Sequence, residues 1–353
     1  MKKIIGIFIL FLFIFQMPMT ISKDFLIDGK IIIENENYQL FDGIDYSKYG
    51  NFTLNDNGII KTDDGWYYYP PYPNYAPSGM PDFSGVQQPD WYHPDIEDRD
   101  NGIGCSTIAF ANIIWYMDSM FSDINGTPGD GLDIFNLVED YNAPSSPNPG
   151  PLTDDHNFNN VNDPLSLWDS LNNIYGNELI ERIRMYTGPG YATEFEAGLV
   201  SFIEDLNLSK YLRVEAGYFS KNQAPSLDDF VKYVKKGAAL VIGLDWYGNN
   251  IRIGGHSVSL SGVNKNNSLI AISDSSKDFS NPTNNKFLHN NPLYISHDIY
   301  EVVETSRFNR PVLEIIFWSP YEESEICYIE DFFCIVPNKN QPNNPILHGE
   351  TNG

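Results

Sequence analysis

The sequence predicts an α+β protein in which a helix opened by Cys105 packs on an antiparallel sheet carrying His256 and Asp274. Three observations lead there. The segment from Cys105 to Met120 has one charge in sixteen residues, and its apolar residues surround the helical circumference, the pattern of a helix buried on most sides. Helical patterns continue up to Gly237. Beyond it the chain turns into short runs rich in β-branched and aromatic residues, each bounded by Gly, Asn or Pro.

Composition sets the frame for these elements. With 353 residues, 42% hydrophobic and 14% aromatic, the chain can fill a large core, which excludes bulk disorder. The length suits two domains, or one large domain with additions. Twenty-two basic residues against 47 acidic ones give a formal charge of -25 and a pI near 4.4. That balance argues against a nucleic-acid backbone or an anionic membrane surface as the main partner.

The first element is a targeting segment. Lys2 and Lys3 precede an apolar run from Ile4 to Phe15, and Thr20-Ile21-Ser22 offers a small-x-small cleavage site. Residues 1–22 therefore read as a secretory signal, with an uncleaved anchor as the alternative. Cleavage leaves 20 basic residues against 47 acidic ones, a charge of -27. The expected product is extracellular, with no stable membrane insertion after cleavage.

Residues 23–77 read as a β-rich extension or propeptide. Lys30–Ile33 and Asn57–Ile60 are β-prone runs flanked by Asn, Asp and Gly. The aromatic, proline-rich strip from Trp66 to Pro73 forbids long regular structure and reads as an extended segment pinned across a core by its rings. An aromatic binding strip is the alternative. From Gly126 to Asp163 the chain is a Pro-, Gly-, Asp- and Asn-rich excursion. Helices are expected at Pro164–Tyr175, Thr193–Asp205 and Ser226–Lys236, the last capped by Ser226 with Asp228 and Asp229 in its first turn. Strands are expected at Ala238–Trp246, His256–Val263, Leu269–Asp274, Asp298–Thr305, Val312–Trp318 and Cys327–Val336. A polar tail, 338–353, closes the chain.

Chemistry enters at Cys105. A thiol at a helix N-terminus feels the positive end of the helix dipole, which favours the nucleophilic thiolate. The plainer reading, a small core residue or disulfide partner, weakens once His256 is considered. Val258 and Leu260 share its phase on one strand, and Ile270, Ile272 and Asp274 share a phase on the next. A hairpin turning at Asn264-Lys265-Asn266 would pair Leu260 with Ile270, Val258 with Ile272 and His256 with Asp274. One register then explains the apolar pairs and sets a carboxylate beside an imidazole. His256 would serve as base, and Asp274 would hold its ring.

These residues resemble a family. Cys105 ahead of Ser-Thr-Ile-Ala-Phe-Ala-Asn-Ile-Ile-Trp-Tyr-Met-Asp-Ser, Gly255-His256-Ser-Val-Ser-Leu-Ser-Gly-Val and Ile-Ser-Asp274 are similar to papain-like cysteine peptidases, closest to the double-glycine (bacteriocin-leader) peptidases and their secreted relatives. The likeness extends to Gly79–Phe83 with Gln87-Gln88 and Trp91, to Asp154-Asp155-His156, and to His289-Asn290-Asn291 with Ser296–Tyr300. It covers 78–337. By this resemblance the fold is a papain-like core. Cys105 is the nucleophile, His256 the base and Asp274 the orienter, while Gln88, with Gln87 next, donates to the oxyanion. The activity implied is cleavage of peptide bonds in a peptide or protein substrate through a thioester, with no cofactor. Ser106-Thr107 stands where the family has Gly-Pro. This departure keeps two alternatives open, a catalytically inactive binding or cell-surface module and a related thiol amidase or transamidase.

Other clusters carry less. Asp154-Asp155-His156, His289 and His297-Asp298 are metal-ligand types without the spacing of a zinc site, and no metal is expected of them. Asp123-Ile-Asn125-Gly126 and Asp130-Gly-Leu-Asp133 are calcium-type loops that miss the twelve-residue pattern, which leaves calcium a weak alternative. Sequons stand at Asn51, Asn125, Asn207 and Asn266. Cys327 and Cys334 read as separate thiols on one strand, with a hairpin disulfide as the alternative.

Overall fold

A computed structural model describes residues 32–33, 46–55, 57–70, 79–80, 105–121, 192–274, 298–316 and 326–338. In chain order these form β1 (Ile32–Ile33), β2 (Phe52–Leu54), β3 (Ile60–Thr62), β4 (Tyr67–Tyr68), α1 (Cys105–Phe121), α2 (Ala192–Asp205), β5 (Leu212–Tyr218), α3 (Leu227–Lys235), β6 (Ala239–Gly248), β7 (Ile251–Asn264), β8 (Leu269–Ser273), β9 (Asp298–Arg307), β10 (Arg310–Ile315) and β11 (Ile326–Pro337).

The expected α+β class with a papain-like core is corrected by the sheet. Strands β6, β7, β8, β9, β10 and β11 pair in a ring, every neighbour antiparallel, because β8 bonds both β7 and β9 while β11 bonds both β10 and β6. The result is a closed six-stranded barrel, and the described residues are mostly β with few helices. Closure leaves the ring no free edge, which sequence patterns do not reveal because an open sheet shows the same alternation. The helix bearing Cys105 is not an N-terminal helix, since β1 to β4 precede it. The other two cysteines, Cys327 and Cys334, lie in β11, and all three thiols are free.

The remaining strands lengthen the wall. β4 pairs with β7 through Tyr67↔Val263 and carries β3, β2 and β1 outward. β5 pairs with β11 from Leu212↔Pro337 to Tyr218↔Asp331. This strand sits inside the stretch expected to be helical. Its Gly217 is required sterically, because a Cβ there would meet the Phe332 ring and the Gln223 carbonyl. β11 changes one of its neighbours midway. It bonds β10 at Cys327–Ile329 and β5 from Asp331 onward, and a bulge between Ile329 and Asp331 marks the change.

Helix α1 lies against β6 and β7. Phe110, Ile113, Ile114 and Met117 are fully buried there with Leu240, Ile242 and Leu260, each such side chain contributing about 1.5–3 kcal/mol. The expected cap of α3 is present in full. Ser226 Oγ accepts the Asp229 N–H at 3.2 Å and Asp229 Oδ2 accepts the Ser226 N–H at 3.1 Å. Of the aromatic strip, Trp66 stacks on Tyr68 at 4.8 Å, Tyr69 is buried with its hydroxyl donating to the Ala238 carbonyl, and Tyr116 Oη donates to the Pro70 carbonyl at 3.1 Å. Those rings pin an extended segment across the core. The segments 1–22, 81–104, 122–191 and 275–297 lie outside the described residues, and with them the signal, Gln87, Gln88, the helix at Pro164–Tyr175, the Asp-rich loops, Asp154-Asp155-His156, His289 and His297.

Candidate active site

Cys105 is the first residue of α1 and lines a cleft of about 640 Å³. Two polar contacts fix the helix against β7. Asn112 Nδ2 donates to Ser259 Oγ at 3.2 Å, and Ser259 Oγ donates to the Ala109 carbonyl at 3.1 Å. Ala109 is one helical turn beyond Cys105, and Ser259 is three residues beyond His256. Clamping these two positions brings the thiol to the imidazole, and Cys105 Sγ hydrogen-bonds the His256 ring.

The other side of the ring meets Asp274. His256 Nε2 lies 2.6 Å from Asp274 Oδ1, and the Asp274 carboxylate is wholly buried. With Nε2 engaged, Nδ1 is the ring nitrogen left for the thiol. Trp246 stacks on His256 at 6.0 Å between centroids with the planes 27° apart, which restrains the ring's tilt.

The hairpin that joins His256 to Asp274 exists, but in a different register from the one the sequence suggested. Leu260 faces Ile272, Ser259 faces Ser273 and Val263 faces Ile270. The turn spans Lys265–Ser268, longer than the expected three residues, and Ser268 adopts φ 55°. A bulge at Ser261 absorbs the mismatch, and its hydroxyl is 2.7 Å from Ser273 Oγ. Continuing the pairing sets Asp274 beside Val258, two residues from His256, so the ion pair is diagonal. An even offset keeps both side chains on one face, which is why the partnership survives the wrong register.

Electrostatics follows from this packing. Burial pushes the Cys105 thiol up, but the His256 charge and hydrogen bond and the backbone N–H groups of Ser257 and Ser106 outweigh it, leaving the thiol below its ordinary 9.0. Burial presses His256 down, yet the Asp274 carboxylate, the Cys105 thiolate and hydrogen bonds to both carry it well above 6.5. The pair therefore favours thiolate and imidazolium. Cys327 and Cys334 show the contrast. Burial raises both thiols far above the ordinary value, with nearby carboxylates adding to the shift, so neither is a nucleophile near neutrality.

Sequence reasoning named Cys105, His256 and Asp274, and the structure brings these three together. Trp246, Asn112 and Ser259 were missed. Asn112 carried the one available signal, as a polar residue amid the apolar run of α1. Among the described residues no group of three or more His, Cys, Asp or Glu could hold a metal ion, and no helix is long and apolar enough to cross a membrane. No known family model matches the chain, and no curated protein matches it.

Proposed function

We propose that the chain is a secreted thiol hydrolase that cleaves peptide bonds through a Cys105 acyl-enzyme. The observation that carries this reading is the contact chain from Cys105 Sγ through the His256 ring to a buried Asp274. The resemblance of the surrounding motifs to cysteine peptidases supports it as well.

In the proposed reaction the Cys105 thiolate adds to the substrate carbonyl carbon, and the carbonyl electrons move to oxygen. The backbone N–H of Cys105, at the positive end of α1, faces that developing charge. The tetrahedral adduct collapses to a thioester as the C–N bond breaks, and imidazolium His256 gives its proton to the departing amine. Water then attacks the thioester, His256 takes a proton from it, and collapse returns the thiolate with the imidazolium. Asp274 stays ionised throughout, holding the ring and stabilising its positive form.

The test is hydrolysis of a casein or quenched-fluorescent peptide pool by the secreted protein and by Cys105→Ala. Activity that is lost in the variant and blocked by iodoacetamide is the expected result. Equal activity in the two proteins would sink the assignment.

A further inference from the structure

The cleft beside Cys105 has a second wall that the hydrolytic steps leave unused. Phe195, Tyr218 and Phe333 form an aromatic side, and Gly243, Asp245, Arg252 and Asp331 form a polar end. Phe333 meets Tyr218 at 5.8 Å and Phe195 at 6.1 Å between centroids, both edge-on, so the rings make a fixed trough.

Asp331 reaches this cleft through a backbone device. The bulge between Ile329 and Asp331 resets the phase of β11, and Asp331 then pairs with Gly243 of β6. A Cβ at Gly243 would stand 3.3 Å from Asp331 Cβ, so a glycine opposite keeps the space around the carboxylate open. The charges at this end are unevenly matched. Asp245 is held by Arg252 at 2.7 Å. Asp331 accepts a hydrogen bond from the Phe219 N–H but has no ion-pair partner among the described residues. Glu196 lies just behind the trough, where its Oε2 accepts the Tyr218 hydroxyl at 2.6 Å.

We propose that this cleft selects substrates with a Lys or Arg side chain next to the scissile bond, the cationic head bound by Asp331 and the stem lying along Phe333 and Tyr218. This rests on the hydrolytic reading for its substrate, while the charge preference stands on the cleft itself. A cation there replaces water with the one partner Asp331 lacks, and aromatic faces suit both an alkyl stem and a guanidinium. Burial, with Asp245 and Glu330 close by, holds the Asp331 carboxyl up at about 7, against the pull of Phe219 N–H and Arg252. A bound cation would relieve that repulsion.

Two measurements on the full chain test the proposal separately from the reaction. The first is the rate at which Cys105 is modified by methanethiosulfonates carrying an aminoethyl, a hydroxyethyl or a sulfonatoethyl group. Each reaction forms a mixed disulfide and releases methanesulfinate, and Cys105→Ala supplies the blank. The aminoethyl reagent should react fastest, and Asp331→Asn should cut its advantage by about tenfold. Asp228→Asn, which removes an exposed acid on α3, should change nothing. The second is kcat/KM for matched peptides with Lys, Arg, norleucine or Glu beside the cleaved bond, where Asp331→Asn should lower only the Lys and Arg values. Near-ultraviolet circular dichroism of the variant verifies that it is folded. Charge-blind modification of Cys105, or an equal loss on all peptides, overturns the selectivity. Charge-selective modification without hydrolysis of any peptide leaves the cationic pocket standing and overturns the peptidase reading instead.

Discussion

Replacing Asp274 with Asn isolates the charge that holds His256. The carboxylate is fully buried and Oδ1 is 2.6 Å from Nε2. Asn at this place keeps an oxygen that can accept the Nε2–H but removes the negative charge that favours imidazolium. Hydrogen bonds to charged groups contribute about 1.5–3 kcal/mol, which converts to about 10- to 150-fold. The kept acceptor argues for the lower part of that range, about tenfold to fiftyfold. The sign of the pH effect follows from the causes. His256 is raised above 6.5 chiefly by the Asp274 charge opposing its burial, so in the variant its pKa falls and the alkaline limb of activity moves down. Cys105 is lowered by His256, so less imidazolium means a higher thiol pKa and an acid limb that moves up. The active window narrows from both ends. The assay is iodoacetamide alkylation of Cys105 from pH 4 to 10, free of interference because Cys327 and Cys334 are buried, with peptide hydrolysis beside it. An alkylation midpoint and rate equal to the unchanged protein's would refute the idea that Asp274 acts through His256.

Three further outcomes are expected. Asp331→Asn should raise Tm at pH 8 and lose that advantage toward pH 4, because the folded carboxyl holds its proton up to about 7 against 3.8 ordinarily, so folding loses stability as pH rises between those values; scanning calorimetry at the two pH values measures it. Ser226→Ala removes the cap of α3, an element that contributes no residue to the cleft, and should cost about 1 kcal/mol in urea unfolding with hydrolysis unchanged. N-terminal sequencing of the secreted active form should find a start before Tyr46, because β4 is bonded to β7 and Tyr69 is buried in the main core against Tyr116 of α1; a start at or beyond residue 78 would refute this.

Elements were legible where the chain's own neighbours decide them. The helix opened by Cys105 needs only its run of apolar residues, and the cap at Ser226 needs only Asp229 three residues on. The strands after Gly237 were found within a few residues at each end. Leu212–Tyr218 was not, because it carries Gly217 and owes its extended form to Phe332 and the rest of β11 packed against it. The hairpin register failed for a related reason. Both the suggested pairing and the observed one join apolar residues, and only the four-residue turn and the bulge at Ser261 distinguish them.

By itself the sequence determined which three side chains meet at the cleft. A thiol opening a helix is a local fact, and a histidine and an aspartate of like phase on adjacent strands stay on one face under any even register, since side-chain direction repeats every two residues. Tertiary structure decided the architecture around them. Closure of six strands into a barrel depends on β8 meeting β9 and β11 meeting β6, contacts between distant parts of the chain that no window of sequence contains. The same long-range pairing sets the bulge that turns Asp331 into the cleft and the polar clamp that holds Cys105 at His256. Local periodicity specifies faces, and only the packed whole specifies which faces meet.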